Sequence, residues 1–247
     1  MSKKAPAIAA GATGVAAAAG AAVLFGQYPT MQVYGATIFR ERSAGKLVAL
    51  TYDDGPNPEQ TPRLLELLDR HNAKATFFLI GQWAEREPGL IRETVARGHA
   101  IGNHTHTHVT MPAHGAGRIR EELRQCRAAV EASGETFSTV DGAALMRPPY
   151  GRRRPGTLRT MREEGYVPVT WSITCYDWRA HTTTRAISRR GKRAREGDII
   201  LLHDGSNEEP AADRHKSIEG TQAILEHLGP MGYSFVTVPE LVAAARA

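Results

Sequence analysis

The sequence predicts an α/β fold built on parallel strands. Three observations support this prediction: short apolar segments typical of strands recur along the chain, amphipathic segments typical of helices alternate with them about seven times, and no shift in composition divides residues 46–247. Strands buried on both faces are continuously apolar, and their alternation with helices favours a parallel sheet, either open or closed into a barrel. We expect one domain over residues 46–247, preceded by a linker and leading strand over residues 29–45.

The first four elements set this pattern. Residues 46–52 are mostly apolar and predict a strand, and residues 61–73 carry apolar side chains at helical spacing with a proline near the start. Residues 75–81 predict a buried strand because the run is largely apolar. Residues 87–98 predict a helix that a glycine ends.

The middle of the domain repeats the alternation. Residues 99–104 predict a short strand, and the longest amphipathic helix is expected over residues 116–134, where apolar residues recur along one stripe. Residues 144–151 predict a strand that runs into a turn containing two prolines. Residues 156–166 then have helical spacing.

The remaining elements continue to the end of the chain. We expect strands over residues 167–173, 198–204 and 233–238, and helices over residues 182–197, 217–232 and 239–247. In folds of this kind, ligands bind beyond the carboxyl ends of the strands. A functional site should therefore use residues that follow the predicted strands.

Side chains capable of catalysis stand at those strand ends. Asp53 and Asp54 end the first strand, although adjacent like charges repel and are costly to bury without a partner. Polar groups also follow four later strands, namely the histidines of residues 104–108, Arg147, Asp177 and the pair His203-Asp204. Their concentration at one rim of the sheet favours a site over a set of unrelated polar turns.

The histidine run HTHTH, residues 104–108, supplies candidate metal ligands. In a helix, His104 and His108 would share one face and could chelate an ion as neutral imidazoles. In an extended segment, histidines two residues apart share a face, so His106 is an alternative ligand. The residues alone leave both alternatives open.

A carboxylate and two histidines leave positions on a zinc-like ion for water and substrate, as hydrolytic metal sites require. We expect one of Asp53 and Asp54 to bind the cation, which relieves their repulsion, and the other to act as a base toward the bound water. His203 is available as the acid that protonates a leaving amine. Asp177 could orient this histidine and stabilise its charge.

The N-terminal residues differ in character from the rest of the chain. Two lysines precede an uncharged run rich in alanine and glycine over residues 5–26, which is long enough to cross a bilayer at about 1.5 Å per residue. We interpret residues 1–28 as a signal sequence or membrane anchor. The lysines should stay in the cytoplasm, so the rest of the chain is expected to be secreted or to face outward in a bacterial cell envelope.

Charge and cysteine content narrow the expected partners. Much of the net charge of +5 lies in basic clusters at residues 152–154 and 188–195, without the interleaved aromatic residues of nucleic-acid grooves. We therefore expect no nucleic-acid partner, and a monomer. Cys126 and Cys175 are too few for a disulfide framework, and free buried thiols are favoured over a single bridge.

Five segments, taken in order, resemble the motifs of a known family. TYDDGPN, HTHTH, RPPYG, DW and ILLHD look like the five motifs of the polysaccharide deacetylases, the NodB-homology enzymes of carbohydrate esterase family 4. The resemblance covers residues 46–241. It implies a deformed (β/α)7-type barrel that hydrolyses N-acetyl groups from a glycan such as peptidoglycan or a chitin-like saccharide. It also implies one divalent metal ion, with zinc favoured and cobalt or nickel as alternatives.

The resemblance further implies a role for each site residue. Asp53 is the base; Asp54, His104 and His108 are the metal ligands; Arg147 buttresses the site; Tyr150 helps to hold the oxyanion through its backbone N–H; Asp177 tunes the acid; Trp178 and Leu201 form the groove wall and the acetyl pocket; His203 is the general acid. On this pattern His106 is not a ligand.

The sequence departs from the family pattern at two positions. Tyr52 stands where phenylalanine is usual, and Thr174 stands where many members carry a further aspartate.

Two rival functions are a glycan-binding barrel without catalysis and a metal-dependent amidase that acts on a non-carbohydrate acetylated amine. The first is disfavoured because the base, the acid and the three ligands are all present. Trp178 and an open groove would favour a saccharide over the second.

Overall fold

The computed structural model describes residues 28–247, so the interpretation of the N-terminus as a signal sequence or anchor falls almost wholly outside it. Between residues 28 and 247, no helix combines the length and the apolar character that a membrane span needs. The described part comprises a curled sheet, an outer layer of helices and the leading segment 28–45.

One sheet of nine strands organises the described residues. The strands are β1 Leu47–Gly55, β2 Ala75–Leu79, β3 Ala100–Asn103, β4 Thr139–Val140, β5 Ala143–Met146, β6 Tyr166–Pro168, β7 Ile173–Thr174, β8 Ile199–His203 and β9 Ser234–Phe235. Seven of them follow the order β6-β5-β3-β2-β1-β8-β7, each parallel to its neighbours. The two additions are β4, antiparallel to β5, and β9, which pairs with the start of β1.

The two edge strands, β6 and β7, follow each other directly in the chain. Residues 169–172 join them without a helix, and the leading segment lies along this seam, where Ile38 pairs with Val169 and Arg40 with Asp198. The sheet therefore curls into a barrel with one irregular seam, which confirms the predicted deformed (β/α)7-type barrel. The single strand predicted over residues 167–173 is wrong, because this run passes from one edge of the sheet to the other and is split.

Eight helices surround the sheet in the described part of the chain. They are α1 Gln60–Arg70, α2 Gly81–Ala84, α3 Pro88–Ala96, α4 Ala116–Glu131, α5 Pro155–Glu163, α6 Thr184–Gly191, α7 His215–Leu228 and α8 Val238–Arg246. Only the one-turn α2 was not expected. The predicted helix over residues 182–197 stops at Gly191, which packs so closely on Ile224 that an added Cβ would lie 2.1 Å from its Cδ1. The chain then turns at Gly197, whose φ is 72°.

Alternation along β1 separates two apolar clusters. Leu50 and Tyr52 belong to the larger cluster, which includes residues of the outer helices. Ala49 belongs to a second cluster with Leu201. Because side chains alternate along a strand, Asp53 shares the inner face of β1 with Ala49 and enters the interior at the carboxyl end of the strand.

Both cysteines are free and buried, as the sequence predicts. Burial raises the pKa of the Cys126 thiol to about 12, and burial also raises the pKa of Cys175. The nucleophilic form of cysteine is the thiolate, so neither side chain is a reactive nucleophile at neutral pH. They act as small core residues.

Candidate active site

The carboxyl ends of the strands meet at a cleft of about 380 Å³. Eight of the residues predicted for the site line this cleft: Asp53, Asp54, His104, His108, Tyr150, Trp178, Leu201 and His203. The other two, Arg147 and Asp177, are buried beneath it and bond to Asp53 and His203. Positions far apart in the sequence are thus gathered at one end of the barrel.

Asp54, His104 and His108 form a compact group of potential metal ligands. Their ligand atoms lie within 4.8 Å of one another, and Asp54 Oδ1 is 3.4 Å from His104 Nε2 and 3.3 Å from His108 Nε2. All three side chains are buried, and Asp54 Oδ1 has no hydrogen-bond partner among residues 28–247. A buried, unpaired carboxylate oxygen that faces two imidazole nitrogens fits a divalent cation.

The ionisation of this group also suits metal binding. Burial would raise the pKa of Asp54, but the neighbouring imidazoles of His104 and His108 outweigh burial and hold it well below its usual range. Burial lowers the pKa of His108 to about 4 despite the attraction of Asp54. At neutral pH the group therefore presents a carboxylate and a neutral imidazole, which are the forms that bind metals.

Residues 104–108 adopt neither the helix nor the extended strand that the sequence suggested. After β3 ends, left-handed φ angles at Thr105 (67°) and His108 (54°) turn the chain, and the rings of His104 and His108 lie 5.0 Å apart. His106 lies outside the ligand group and packs against Gly81, where an added Cβ would be 2.5 Å from its Nδ1. The structure thus brings together the two histidines four residues apart, although through a tight turn.

Arg147 lies fully buried below Asp53. Its Nη1 donates to Asp53 Oδ1 at 2.7 Å and to Thr51 Oγ1 at 2.8 Å, and its Nη2 donates to the carbonyl of Thr170 at 3.1 Å. The guanidinium also lies over the Phe78 ring, 4.1 Å from its centroid. Burial lowers the pKa of Arg147, and these contacts offset the loss of water. One oxygen of Asp53 is thereby fixed.

His203 and Asp177 form the opposite side of the cleft. Asp177 Oδ1 lies 2.9 Å from His203 Nδ1, while its Oδ2 accepts hydrogen bonds of 2.7 Å from the His203 N–H and from the Ser217 hydroxyl. Burial alone would lower the pKa of His203, but the Asp177 charge and hydrogen bond raise it to about 9. The Trp178 ring packs on the imidazole with centroids 5.0 Å apart. His203 is therefore held as an imidazolium at neutral pH.

The structure adds site residues that sequence reasoning missed. Trp171 lines the cleft, but it stands inside a predicted strand, where an aromatic residue is ordinary core. Residues 206–208 and Arg214 line the other side, in a loop that the Trp83 indole fixes by donating to the Ser206 carbonyl at 2.9 Å. This loop follows β8, so the expectation that site residues follow the predicted strands would also have pointed to these residues.

Comparison with known proteins identifies the chain. Residues 40–169 match the family described as Polysaccharide deacetylase. The chain belongs to the polysaccharide deacetylases. It is 36% identical to a peptidoglycan-N-acetylglucosamine deacetylase of Bacillus cereus, over 80% of this chain and 88% of that protein. It is 35% identical to a chitooligosaccharide deacetylase of Sinorhizobium fredii, over 80% of this chain and 90% of that protein.

A solved structure supports the assignment to the polysaccharide deacetylases. A family 4 carbohydrate esterase from Streptomyces lividans, in complex with acetate, aligns with a TM-score of 0.69 at 28% identity. The alignment covers 78% of this chain and 93% of that one. The overall fold of this chain is therefore similar to one already seen in this esterase family.

The two departures from the family pattern leave the ligand group intact. The Tyr52 hydroxyl is buried and lies 3.0 Å from the hydroxyl of Thr221, so the added polar group has a partner. Thr174 lies in β7 opposite Leu201, and its hydroxyl has no hydrogen-bond partner in the described chain. Neither residue belongs to the group formed by Asp54 and the two histidines.

Proposed function

We propose that this chain is a metal-dependent deacetylase that removes N-acetyl groups from a glycan containing N-acetylglucosamine and releases acetate. The main support is that three features converge on one cleft: a potential metal-binding group, a carboxylate bound by an arginine, and a charged histidine. Deacetylases of peptidoglycan and of chitooligosaccharides are similar over most of the chain. They favour a cell-wall polymer or a chitin-like oligomer as the substrate.

Asp54, His104 and His108 would hold the metal. One carboxylate and two imidazoles suit zinc, and cobalt or nickel accepts the same donors, so availability would decide among them. When bound, a divalent ion polarises the acetyl carbonyl and lowers the pKa of water toward about 7.

Asp53 would act as the base. Arg147 holds its Oδ1, while Oδ2 lies 3.7 Å from His104 Nε2 and is left to take the proton of the attacking water. Tyr150 sits in a turn with a φ of 61° at the edge of the cleft. Its backbone N–H is proposed to donate to the oxyanion, a contribution of about 3 kcal/mol in comparable sites.

His203 would act as the acid. An amine cannot leave as an anion, so the imidazolium on its side of the cleft supplies the proton. Asp177 keeps this proton in place near neutral pH because it raises the pKa of His203 to about 9. Leu201 lines the cleft beside the acid and is proposed to contact the acetyl methyl group.

The cleft favours a saccharide over a small acetylated amine. The residues Tyr150 and Trp178 are 51% and 40% exposed at its mouth, and aromatic faces can pack on sugar rings. The rival glycan-binding barrel without catalysis is disfavoured because the base, the acid and the ligands are all present. Cell-wall glycans lie outside the cytoplasm, which supports export, with residues 1–28 acting as a signal sequence or anchor. We further propose that the enzyme works as a monomer.

Acetate release tests this proposal. The protein is incubated with N-acetylglucosamine oligomers, peptidoglycan and an acetylated polyamine, with and without a chelator. We expect acetate from at least one glycan, little from the polyamine, and loss of release with chelator that added zinc or cobalt restores. Release from the polyamine alone would support the amidase instead, and binding of glycans without acetate release would support the non-catalytic barrel.

A further inference from the structure

The two histidines of the ligand group are oriented differently. The Nδ1 atom of His104 lies 2.8 Å from the carbonyl of Arg147, which leaves its Nε2 facing Asp54. Histidine ligands usually have such a partner for the second ring nitrogen, because it fixes the tautomer and the ring plane. The buried Nδ1 of His108 has no hydrogen-bond partner in residues 28–247. Another feature must therefore fix His108.

The turn that carries His108 is anchored by a buried carboxylate on helix α4. Glu122 is fully buried, and its Oε2 accepts hydrogen bonds from the backbone N–H groups of His106 at 2.9 Å and Thr107 at 2.8 Å. Its Oε1 accepts from the Thr107 hydroxyl at 2.7 Å and from Arg118. Every one of these donors except Arg118 belongs to the turn between the two histidine ligands.

These bonds act where the backbone needs them. His108 has a φ of 54°, a conformation that a residue with a Cβ adopts only when its surroundings hold it there. Of the three residues between the ligands, His106 and Thr107 donate hydrogen bonds to Glu122, and the Thr105 N–H donates to Asn103 Oδ1 at 2.8 Å. With its ring nitrogen unpartnered, His108 depends on this backbone frame and on ring contacts with His104 and Tyr150.

We propose that Glu122 is a positioning residue that orients the metal ligand His108 by holding the turn before it. It touches neither the cleft nor the ligand atoms, and it acts through the backbone rather than through the imidazole. The inference rests on the proposed metal-dependent function.

The test is metal affinity, measured apart from activity. The protein is prepared without metal, and its Kd for Co²⁺ is measured by competition with a chelator and by visible absorption. Glu122→Gln keeps the shape of the side chain but replaces one acceptor oxygen with an NH₂ group that faces donors. We expect the Co²⁺ Kd to rise about 10- to 100-fold, the range found when groups that support a metal ligand are lost, with a changed absorption spectrum.

Glu121→Gln is the matched control. Glu121 is the neighbouring residue on α4, also accepts from Arg118, at 3.0 Å, and is 51% exposed. The control removes the same charge from the same helix without touching the turn, so its Co²⁺ Kd should equal that of the wild type. Thr107→Val removes only one donor to Glu122 and should raise the Kd by less than Glu122→Gln does.

A purely structural role would give a different result. Glu122→Gln would then lower the melting temperature of the metal-free protein, but below that temperature it would bind Co²⁺ as tightly as the wild type, and this outcome would overturn the proposal. If Glu122→Gln does not fold, Thr107→Val decides, and a wild-type Kd and spectrum for it would overturn the proposal too. A wild-type protein that binds no Co²⁺ would instead refute the metal-dependent function.

Discussion

The two sides of the cleft differ in whether their buried polar groups have hydrogen-bond partners. We call the side with Asp177 and His203 the acid side, and the side with Asp54, His104 and His108 the metal side. On the acid side, Asp177 accepts hydrogen bonds from the His203 backbone and the Ser217 hydroxyl and pairs with the His203 ring. On the metal side, Asp54 Oδ1 is buried without a hydrogen-bond partner in the described chain and faces the Nε2 atoms of His104 and His108. A buried polar group without a partner is unfavourable, so the metal side favours a cation while the acid side is stable without one.

The backbone shows a weaker contrast. His203 is the last residue of the regular strand β8. Asp54, Thr105 and His108 all have left-handed φ angles, of 72°, 67° and 54°. Each such angle costs on the order of 1 kcal/mol or more in a residue with a Cβ. The metal side thus has three such residues, and the acid side has Tyr176, beside Asp177, with a φ of 54°. Because the two sides are held by different contacts, we expect them to respond independently to mutation.

Removal of a metal ligand should have the largest effect on activity. His104→Ala should lose metal and activity together, with a fall in rate of more than about 10⁴-fold, because it removes the metal's contribution as well as disturbing the base. His106→Ala should retain most of both, since His106 lies outside the ligand group. Metal content by elemental analysis, measured beside acetate release, checks both variants. Equal losses in the two would mean that the ligands are wrongly assigned.

Asp53→Asn should separate catalysis from metal binding. Asparagine can still accept from Arg147 but cannot take a proton, so we expect bound metal to remain while turnover falls about 10²- to 10⁴-fold. The measurement is metal content, rate and melting temperature on one preparation. The melting temperature is needed because Arg147 is fully buried and loses its charged partner. Near-normal turnover would exclude Asp53 as the base.

The alternation of short apolar strands with helices predicted a parallel sheet, and the resemblance to the polysaccharide deacetylases predicted that it closes into a barrel. The sequence could not predict the break between β6 and β7, since residues 167–173 form a mostly apolar run in which only Thr170 and Ser172 are polar. Helix α6 was predicted too long because its basic residues suit a helix, whereas Gly191 meets Ile224 only in the folded chain.

The site was predictable where chemistry is concentrated in a few residues. Strand ends carrying Asp53, Asp54 and His203 stood out because several such polar groups were expected at the same end of the sheet. Glu122 did not, since a glutamate in an amphipathic helix is expected to face water, and its burial follows only from the turn it holds. The left-handed turn of residues 104–108 was likewise not predictable, because it follows neither the helical nor the extended periodicity.

The smallest expected effect concerns the acid side, where rate should change with pH while metal content does not. In the wild type, His203 stays protonated until the pH approaches about 9, so the rate should fall as the pH rises through that value. Asp177→Asn removes the charge that opposes burial, and the pKa of His203 should then fall to its ordinary value of 6.5 or below. The alkaline limb of the pH–rate profile should move down by about two pH units or more, and metal content should stay at the wild-type level.

Ser217→Ala provides the matched control for that shift. It removes one donor from Asp177 and leaves the charge in place, so the alkaline limb should stay within about one pH unit of its wild-type position. Rates at several pH values for both variants, with metal content measured beside them, decide the point. An unchanged alkaline limb in Asp177→Asn would show that His203 is not the acid, and loss of metal from this variant would show that the two sides of the cleft are coupled.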